Sequence, residues 1–541
     1  MSLSTITANK SPWLLLAYIL VAVVLLVFIG YLIIYLIYAS ALFQFPFDYD
    51  QGEGFELVDT LMFSRGEWPY QDNDTYPFYS SNYPPVYHLV IVPLVWLFGP
   101  QFWTGRVISF IGTLISASVI GYAVHREGKR WWLSVLAGLS FLASNYVYHV
   151  GPLFRQHMFM VMFEVIAVVL LTIVVDGEEK EGKQNNRGLL AVMILLLLAG
   201  YTKQLAYATV AAVFLFLFLR QTKRAIVWAL GFAAVTATIF MLIDLSTGGQ
   251  WLTNTVTANV NPFIPGQTVG LLKQWFNLHT VILIGAAAMA LYQLYYERLS
   301  VYAIWFIVAS VNGLTAGKWG AGESYFATAI AAACILAGLA FNRLLNYTEK
   351  RGSRWYAFSI IAIALLLLVQ ANKVFHMPTH TPTLQAIASA LGKETTTSIS
   401  PQTSCSADLP PEPIPYVDSA GVGLIGRPPN EEDTKAGLLI ADLIASGKTA
   451  AFSEEAGFGL FLGRDIVTNP TQLLNLYNNG QVDLTEMLAM LENQAFDTVV
   501  FRAQFYPPPV LEVIGRQYET TELVKMNGFV YCILRPREQL S

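Results

Sequence analysis

The densest cluster of carboxylates in this sequence directly follows its first long apolar segment. Between Phe43 and Pro85 there is one base, Arg65, and there are eight acids: Asp48, Asp50, Glu53, Glu56, Asp59, Glu67, Asp72 and Asp74. Residues i and i+2 of an extended segment project to the same side, so Asp48 and Asp50 are placed to share a ligand or a metal ion. A carboxylate here is also suited to accept a proton from an attacking hydroxyl group. The stretch predicts an acid–base site, with a solvated acidic loop as the alternative.

The elements that position these acids are expected to lie in a membrane. Of 541 residues, 55% are hydrophobic and 13% are charged, whereas an average soluble protein has roughly a quarter charged residues. The net charge of -5, without a basic tract, indicates no nucleic-acid partner. Eleven apolar segments are candidates to span a bilayer: 13–38, 106–124, 131–149, 156–175, 188–202, 206–219, 225–244, 278–297, 299–317, 324–342 and 355–372.

The composition and the segment pattern together predict the fold class. We expect a mainly α polytopic membrane protein with about 11 transmembrane helices and juxtamembrane helices in the first external loop, 43–105. A small extracytoplasmic α/β domain should follow at the C-terminus. The expected domains are a transmembrane domain at 1–375, a linker at 376–430 and the α/β domain at 431–541.

Positively charged loops set the expected orientation. Lys and Arg concentrate in four loops, at 125–130, 178–187, 220–224 and 342–354. Such loops face the cytoplasm, and all four do so only if the short apolar stretch 86–98 does not cross and Lys203 divides 188–219 into two helices. The protein is then a multi-pass protein of the cell (plasma) membrane, with its N-terminus in the cytoplasm and its C-terminal domain outside.

The C-terminal part shows alternating strand and helix patterns. Buried strands are predicted at 448–453, 496–502 and 528–536, and amphipathic helices at 433–447 and 483–494. Cys405 and Cys532 are able to pair if this part lies outside the cytoplasm.

Isolated cations near the predicted outer helix ends complete the candidate site. They are Arg106, Arg155, Lys203 and Lys318. A charge at membrane level is costly and indicates a functional role by default. Four cations at one interface suggest a bound anion, and a lipid phosphate lies at that depth and needs charge-assisted donors. The alternative is that these side chains snorkel to the interface or pair with acids for folding.

In their order along the chain, these motifs resemble those of the GT-C superfamily of membrane glycosyltransferases. The nearest branch contains the protein O-mannosyltransferases and the lipid A aminoarabinose transferases. The likeness covers roughly residues 10–345. The matching stretches are "DYDQGEG" (48–54), "SRGEWPY" (64–70), "NYPPVYHLVIVPLVWLFG" (82–99) and "GR" (105–106), with weaker matches at "RQH" (155–157), "TKQ" (202–204) and "GKWGAGESYF" (317–326).

The resemblance implies an inverting transfer of a sugar from a polyprenyl-phosphate-linked donor to an acceptor protein, lipid or glycan on the extracytoplasmic face. Asp50 or Glu53 would be the catalytic base, with Asp48 beside them, since Gln51 follows Asp50 where the family often has an Asp-Glu pair. The four cations would hold the leaving phosphate. Further substrate-binding residues in the matching motifs would be Tyr83, His88, Glu323 and Tyr325.

The resemblance requires no cofactor. A divalent cation, Mg²⁺ or Mn²⁺, bridging Asp48, Asp50 and the phosphate is compatible with it. Two other functions also fit part of the sequence. A secondary transporter would need coupling carboxylates near mid-membrane, for which Glu164 is the one convincing candidate, and a polysaccharide ligase or polymerase would use similar lipid-linked donors.

Overall fold

The computed structural model describes residues 12–374, 382–392, 428–503 and 505–538. Helices make up the membrane part, and a small sheet with short helices makes up the C-terminal part. The helices before the linker are α1 (Pro12–Gln44), α2 (Glu53–Ser64), α3 (Val86–Phe98), α4 (Phe102–Gly128), α5 (Trp131–Leu142), α6 (Asn145–Tyr148), α7 (His157–Glu181), α8 (Asn186–Thr202), α9 (Tyr207–Arg220), α10 (Thr222–Ser246), α11 (Gln250–Thr255), α12 (Pro265–Tyr296), α13 (Val301–Asn312), α14 (Ala327–Glu349) and α15 (Ser353–Val374). One further short helix, α16 (Pro382–Ala390), falls within the expected linker.

Seven of the described helical segments are long and apolar enough to cross a membrane. They are Pro12–Gln44, Phe102–Gly128, His157–Glu181, Thr222–Ser246, Pro265–Tyr296, Glu323–Glu349 and Ser353–Val374. Each of the eleven predicted segments falls on one of these helices or on a shorter apolar helix. The mainly α membrane fold is therefore confirmed, while the number of about 11 crossings stays a prediction.

Helix α14 forms the centre of the bundle. It packs against α4, α5, α12, α13 and α15, and an alanine-rich run allows close approach on nearly all sides. Helix α10 lies at the periphery, with only Ala225 and Ile243 buried. Large apolar side chains are exposed along α1, α10, α12 and α15, where a bilayer would cover them.

Ion pairs join the loops that the charge pattern assigns to the cytoplasm. Arg130 pairs with Glu349 at 2.8 Å, which links the loops 125–130 and 342–354. Arg224 pairs with Glu178 at 2.8 Å, which links 220–224 with 178–187. Each pair therefore joins two loops that the charge pattern predicts on one side of the membrane, and the orientation itself stays a prediction.

The first external loop contains the two juxtamembrane helices expected from the sequence. Helix α2 packs against α3, which has 13 residues and is short for a hydrocarbon core of about 30 Å. The Trp96 and Leu97 side chains of α3 are exposed, as in a helix lying at an interface. The predicted break at Lys203 is confirmed, because this residue is extended between α8 and a short 3-10 turn, Gln204–Ala206.

The segment 245–277, between the predicted spans 225–244 and 278–297, is more ordered than its composition suggests. It contains α11, and α12 begins at Pro265, before the predicted start at 278. Helix α12 is kinked at His279, whose backbone leaves the helical region. The Pro at the first helical position explains the early start, since its fixed backbone angle suits a helix N-terminus.

The C-terminal part, 428–538, is a four-stranded sheet with helices around it. The strands are β1 (Phe452–Ser453), β2 (Val499–Phe501), β3 (Tyr518–Met526) and β4 (Phe529–Pro536), in the order β1-β2-β4-β3. Strand β1 is parallel to β2, and the other neighbours are antiparallel. The helices are α17 (Glu431–Ala445), α18 (Gly457–Leu462), α19 (Pro470–Asn478), α20 (Thr485–Glu492) and α21 (Pro508–Gln517).

Three of the four strands were expected, and β3 was not. Most of β3 is polar and solvent-exposed, in the manner of an edge strand, so it lacks the apolar run that marks β2 and β4. The suggested pairing of Cys405 with Cys532 involves Cys405, which lies outside the described residues. Most of the predicted linker 376–430 also lies outside them.

The C-terminal domain docks on the first external loop. The Phe47 ring packs against Phe458 and Phe461. Asp74 accepts a backbone N–H bond from Asp483 at 2.8 Å. The loop and the domain therefore contact each other at two separate places.

Candidate active site

The first acid of the loop, Asp48, is fully buried and connects the loop to the C-terminal domain. Its carboxylate accepts backbone N–H bonds from Gly54 at 2.6 Å and from Gly457 at 2.8 Å. Burial, with the nearby charges of Glu455 and Glu53, raises the pKa of Asp48 well above its usual range. A Cβ atom at Gly457 would lie 2.3 Å from Asp48 Oδ2, so this approach requires glycine.

Arg106 is a second fully buried group. Its Nε and one Nη donate to the Glu53 carboxylate at 2.9 and 2.8 Å. The remaining N–H groups donate to three backbone carbonyls, those of Leu42, Phe45 and Phe47. These bonds use all five donors of the guanidinium. The geometry favours a structural role for Arg106 over the predicted role in phosphate binding.

Glu53 is saturated in the same way. Besides the two bonds from Arg106, it accepts backbone N–H bonds from Tyr49, Asp50 and Phe154 at 3.0, 3.2 and 2.6 Å. The side chain has no exposed surface. Of the two carboxylates considered as the base, Glu53 is therefore the one that fixes the loop to α4 and to the start of α7.

Asp50 is the partly open carboxylate. Its Oδ2 accepts a bond from Arg155 Nε at 2.6 Å and also contacts an Nη of the same guanidinium. The side chains of Asp50 and Arg155 are 16% and 22% exposed, whereas Glu53 and Arg106 have no exposed surface. Burial alone would raise the pKa of Asp50, but the positive charges of Arg155 and His149 outweigh it and lower that pKa.

Glu56, in the first turn of α2, contacts the same Arg155 guanidinium as Asp50 does. Its Oε1 lies 3.3 Å from an Nη atom of Arg155. Burial and the nearby Asp59 carboxylate raise the pKa of Glu56 to about 8, against the lowering effect of Arg155. A Cβ atom at Gly52 would lie 2.2 Å from the Arg155 guanidinium, so this glycine makes room for the arginine.

Lys203 completes the positive side of the site. Its ammonium lies 5.1 Å from the centroid of the Tyr83 ring and 6.0 Å from that of Tyr325. Its charge acts on both Asp50 and Glu56. Within the described part of the chain the ammonium forms no hydrogen bond or ion pair. A cation held between aromatic rings, without a carboxylate on it, is available to an incoming anion.

The remaining predicted residues are His88, Lys318 and Glu323. His88 on α3 is buried behind α2, where its Nε2 faces Glu56 and Asp59. Lys318 is half-buried in the loop before α14, and in the described residues no hydrogen bond or ion pair joins its side chain to Asp50 or Arg155. Glu323 lies in the short 3-10 turn Glu323–Phe326, which also carries Tyr325.

The structure therefore brings together Asp50, Arg155, Lys203, Tyr83 and Tyr325 from five separate motifs. Asp48 and Asp50, considered as joint metal ligands, are engaged by different groups: backbone N–H donors and Arg155. Glu56 was not selected from the sequence as a site residue. Its spacing of three from Glu53 and from Asp59 on one helix is the signal that could have identified it.

Comparisons with known proteins bear on the fold of the chain. Residues 82–246 match the model of the family described as dolichyl-phosphate-mannose-protein mannosyltransferase, which is less than a third of the chain. No curated protein sequence matches the chain.

Two solved structures match almost the whole chain. ArnT from Cupriavidus metallidurans bound to undecaprenyl phosphate aligns with a TM-score of 0.56 at 14% identity, covering 93% of this chain and 98% of that one. Its apo state aligns with a TM-score of 0.55 at 13% identity and the same coverage. The chain thus has an ArnT-like fold, and the expected resemblance to the GT-C glycosyltransferases is confirmed at the level of the fold.

Proposed function

We propose that this protein is an integral membrane glycosyltransferase that moves a sugar from a polyprenyl-phosphate donor to an acceptor on the extracytoplasmic side. The observation that carries the proposal is the partly open pair of Asp50 and Arg155, with Lys203 beside it, which forms no ion pair with the described residues. Two cations next to one accessible carboxylate match the needs of a reaction that releases a phosphate and removes a proton. The similarity to ArnT bound to undecaprenyl phosphate supports this class of donor.

The acceptor half of the reaction is assigned to Asp50. In the proposed step, an acceptor hydroxyl or amine attacks the anomeric carbon of the donor from the face opposite the phosphate. The bond from this carbon to the phosphate oxygen breaks, the configuration inverts, and Asp50 takes the acceptor's proton. General-base catalysis of this kind contributes roughly 10²–10⁴-fold to a rate.

The donor half is assigned to Arg155 and Lys203. Negative charge builds on the leaving phosphate, and preorganised cations stabilise this charge. When Arg155 turns toward a phosphate, it withdraws from Asp50. The pKa of Asp50, which Arg155 holds down, then rises and the carboxylate becomes a stronger base. Donor binding and base activation are coupled in this way through one guanidinium.

The orientation follows from the same assignment. The site lies at the helix ends opposite the basic loops, so we place it on the extracytoplasmic side, with the N-terminus in the cytoplasm. The C-terminal domain contacts the acidic loop through Phe458, Phe461 and the Gly457 backbone. A transporter gains no support from Glu164, whose carboxylate accepts bonds from Thr209 and Thr328 at 2.6 and 2.7 Å.

A donor panel tests the proposal. Purified protein is incubated with different polyprenyl-phosphate sugars and a mixture of lipid, glycan and peptide acceptors, and free polyprenyl phosphate is measured. We expect release with at least one donor, and expect Lys203→Ala to reduce it by about 10²-fold. Asp72→Asn is the matched control, because Asp72 is exposed in the same loop and only accepts a bond from its neighbour Asp74. Equal release by Lys203→Ala would contradict the assignment of the phosphate site.

A further inference from the structure

Three buried side chains meet where α2 packs against α3, behind the candidate active site. Glu56 and Asp59 lie three residues apart on α2, and His88 comes from α3. Their exposed surface is 2%, 2% and 0%. One ligand atom from each residue lies within 4.8 Å of the other two. Two carboxylates and one imidazole are thus in one small volume from which solvent is excluded.

The hydrogen bonds around His88 fix its tautomer. Thr60 Oγ1 donates its single proton to the carbonyl of Glu56 at 2.8 Å. Its contact with His88 Nδ1, at 3.1 Å, is then one in which the imidazole donates and the hydroxyl accepts. In the neutral ring, Nε2 consequently carries a lone pair. That lone pair faces Glu56 Oε2 at 3.4 Å and Asp59 Oδ2 at 3.8 Å.

Two atoms of this group have no hydrogen-bond partner in the part of the chain that the structure describes. His88 Nε2 and Glu56 Oε2 are both buried and both unsatisfied. Buried polar groups without partners are rare in proteins, and each one calls for a proton, a water molecule or an ion. Because an imidazole lone pair and carboxylate oxygens are all electron donors, they do not satisfy one another without a positive charge between them.

The surrounding residues orient the three donors as metal ligands are oriented. Histidine ligands usually donate their second ring N–H to a neighbouring acceptor, as His88 does to Thr60. Ligating carboxylates are themselves hydrogen-bonded: Asp59 accepts from Tyr79 at 2.7 Å and from Ser81 at 2.5 Å. Donors bound tetrahedrally to Zn²⁺ lie about 3.3 Å apart, close to the separation of Nε2 from Glu56 Oε2.

We propose that Glu56, Asp59 and His88 form a binding site for one divalent transition-metal ion. A set of one imidazole and two carboxylates suits Zn²⁺ or Mn²⁺ better than Ca²⁺, which prefers oxygen ligands alone. This site differs from a metal bridging Asp48 and Asp50, and the occurrence of metal binding does not depend on the proposed function.

The expected effect of the metal does rest on that function. Glu56 would bind the ion through Oε2, while its Oε1 remains on Arg155. An ion at this position keeps Glu56 ionised and fixes the carboxylate that, together with Asp50, orients the guanidinium. The metal is therefore expected to position Arg155 and not to contact the donor or the acceptor.

Direct metal binding tests the proposal. The full-length protein, purified in detergent and treated with a chelator, is loaded with ZnCl₂ or MnCl₂, and bound metal is measured after gel filtration. We expect one metal ion per chain in the wild type and a loss of at least about 10-fold in affinity in His88→Gln and Asp59→Asn. Loading with Co²⁺ should give the visible absorption of a nitrogen–oxygen site, and His88→Gln should abolish it.

Two further variants keep the test decisive. Thr60→Val keeps all three proposed ligands but removes the acceptor of the His88 N–H, together with the bond that Thr60 donates to the Glu56 carbonyl. It should weaken metal binding about 10- to 100-fold. His279→Gln is the control, because His279 is equally buried but bonds to Ser144 and the Trp275 carbonyl instead of to acids. The proposal is overturned if the monodisperse wild type binds no metal, or if folded His88→Gln binds it as tightly as the wild type. Failure of glycosyl transfer in a protein that binds metal would count against the proposed function alone.

Discussion

Two carboxylates of the first external loop, Glu53 and Asp50, each pair with an arginine from outside it, and the two pairs differ in burial and in how fully the arginine's donors are used. Arg106 and Glu53 are without exposed surface, and all five donors of the arginine bind protein acceptors. Arg155 and Asp50 are partly open, and Arg155 divides its donors between Asp50 and Glu56. A saturated pair holds the loop in place, whereas an unsaturated pair at a cleft is able to exchange its partner for a substrate.

The largest expected effect comes from breaking the closed pair. Glu53→Gln leaves the Arg106 charge buried without its counter-ion, which costs about 3–5 kcal/mol of unfolding free energy. We expect little folded protein and a strongly reduced Tm by fluorescence-detected gel filtration. Asp72→Asn should have the wild-type Tm. A Glu53→Gln protein of wild-type stability would show that this pair is not structural.

Breaking the open pair should reduce activity strongly and stability only slightly. Arg155→Ala removes a cation from the developing phosphate charge, so we expect transfer to fall about 10²–10³-fold. The loss of stability should be about 1 kcal/mol or less, because a partly exposed ion pair contributes little. The measurement is release of polyprenyl phosphate together with Tm. A variant that loses stability as Glu53→Gln does would remove the contrast between the two pairs.

Displacing Arg155 without removing it should have a smaller effect. In Gly52→Ala the new methyl group occupies the position of the guanidinium, and a shift of about 1 Å reduces a rate by up to about 10²-fold. We expect the rate of transfer to fall about 10- to 100-fold although Asp50 and Arg155 are both still present. Gly200→Ala is the matched control, since no atom lies within 4 Å of its added Cβ. Equal activity of the two variants would mean that the position of Arg155 is unimportant.

The smallest effect concerns pH. Burial raises the pKa of Glu56 to about 8 and that of Asp59 to about 7, above their values in the unfolded chain. The folded protein then binds more protons than the unfolded chain between about pH 5 and 8, so stability decreases as pH rises through this range. Between about pH 5 and 8, the Tm of the metal-free wild type should fall by roughly 1–3 °C. The Tm of Glu56→Gln should fall by less. Bound metal should also weaken the dependence of Tm on pH, because the metal ion takes the place of the protons on Glu56 and Asp59. A wild-type Tm that rises over this range would be inconsistent with the raised pKa values.

The parts of the fold with strong sequence signals were predictable. Long apolar runs specified the membrane helices, and Lys203 between two such runs specified the break after α8. The polar edge strand β3 carried no comparable signal. The helix starting at Pro265 was hidden by a segment rich in Thr and Asn, residues that usually indicate loops.

The sequence allowed the residues of the site to be predicted, but not which acid pairs with which arginine. The sequence supplied Asp50, Glu53, Arg106 and Arg155 as candidates, yet which acid meets which arginine depends on how α2, α4 and α7 pack. Arg106 follows Glu53 by 53 residues, and Arg155 follows Asp50 by 105. No local spacing relates groups so distant in the chain, so their burial and their roles emerge only from the tertiary structure.

The central claim is that the open carboxylate, Asp50, does the chemistry. Its most direct test is the rate of polyprenyl-phosphate release by Asp50→Asn, measured beside the wild type with the donor that the wild type uses. We expect a loss of at least about 100-fold with a Tm within about 2 °C of the wild type. Asp50→Asn protein that transfers sugar at the wild-type rate would contradict it.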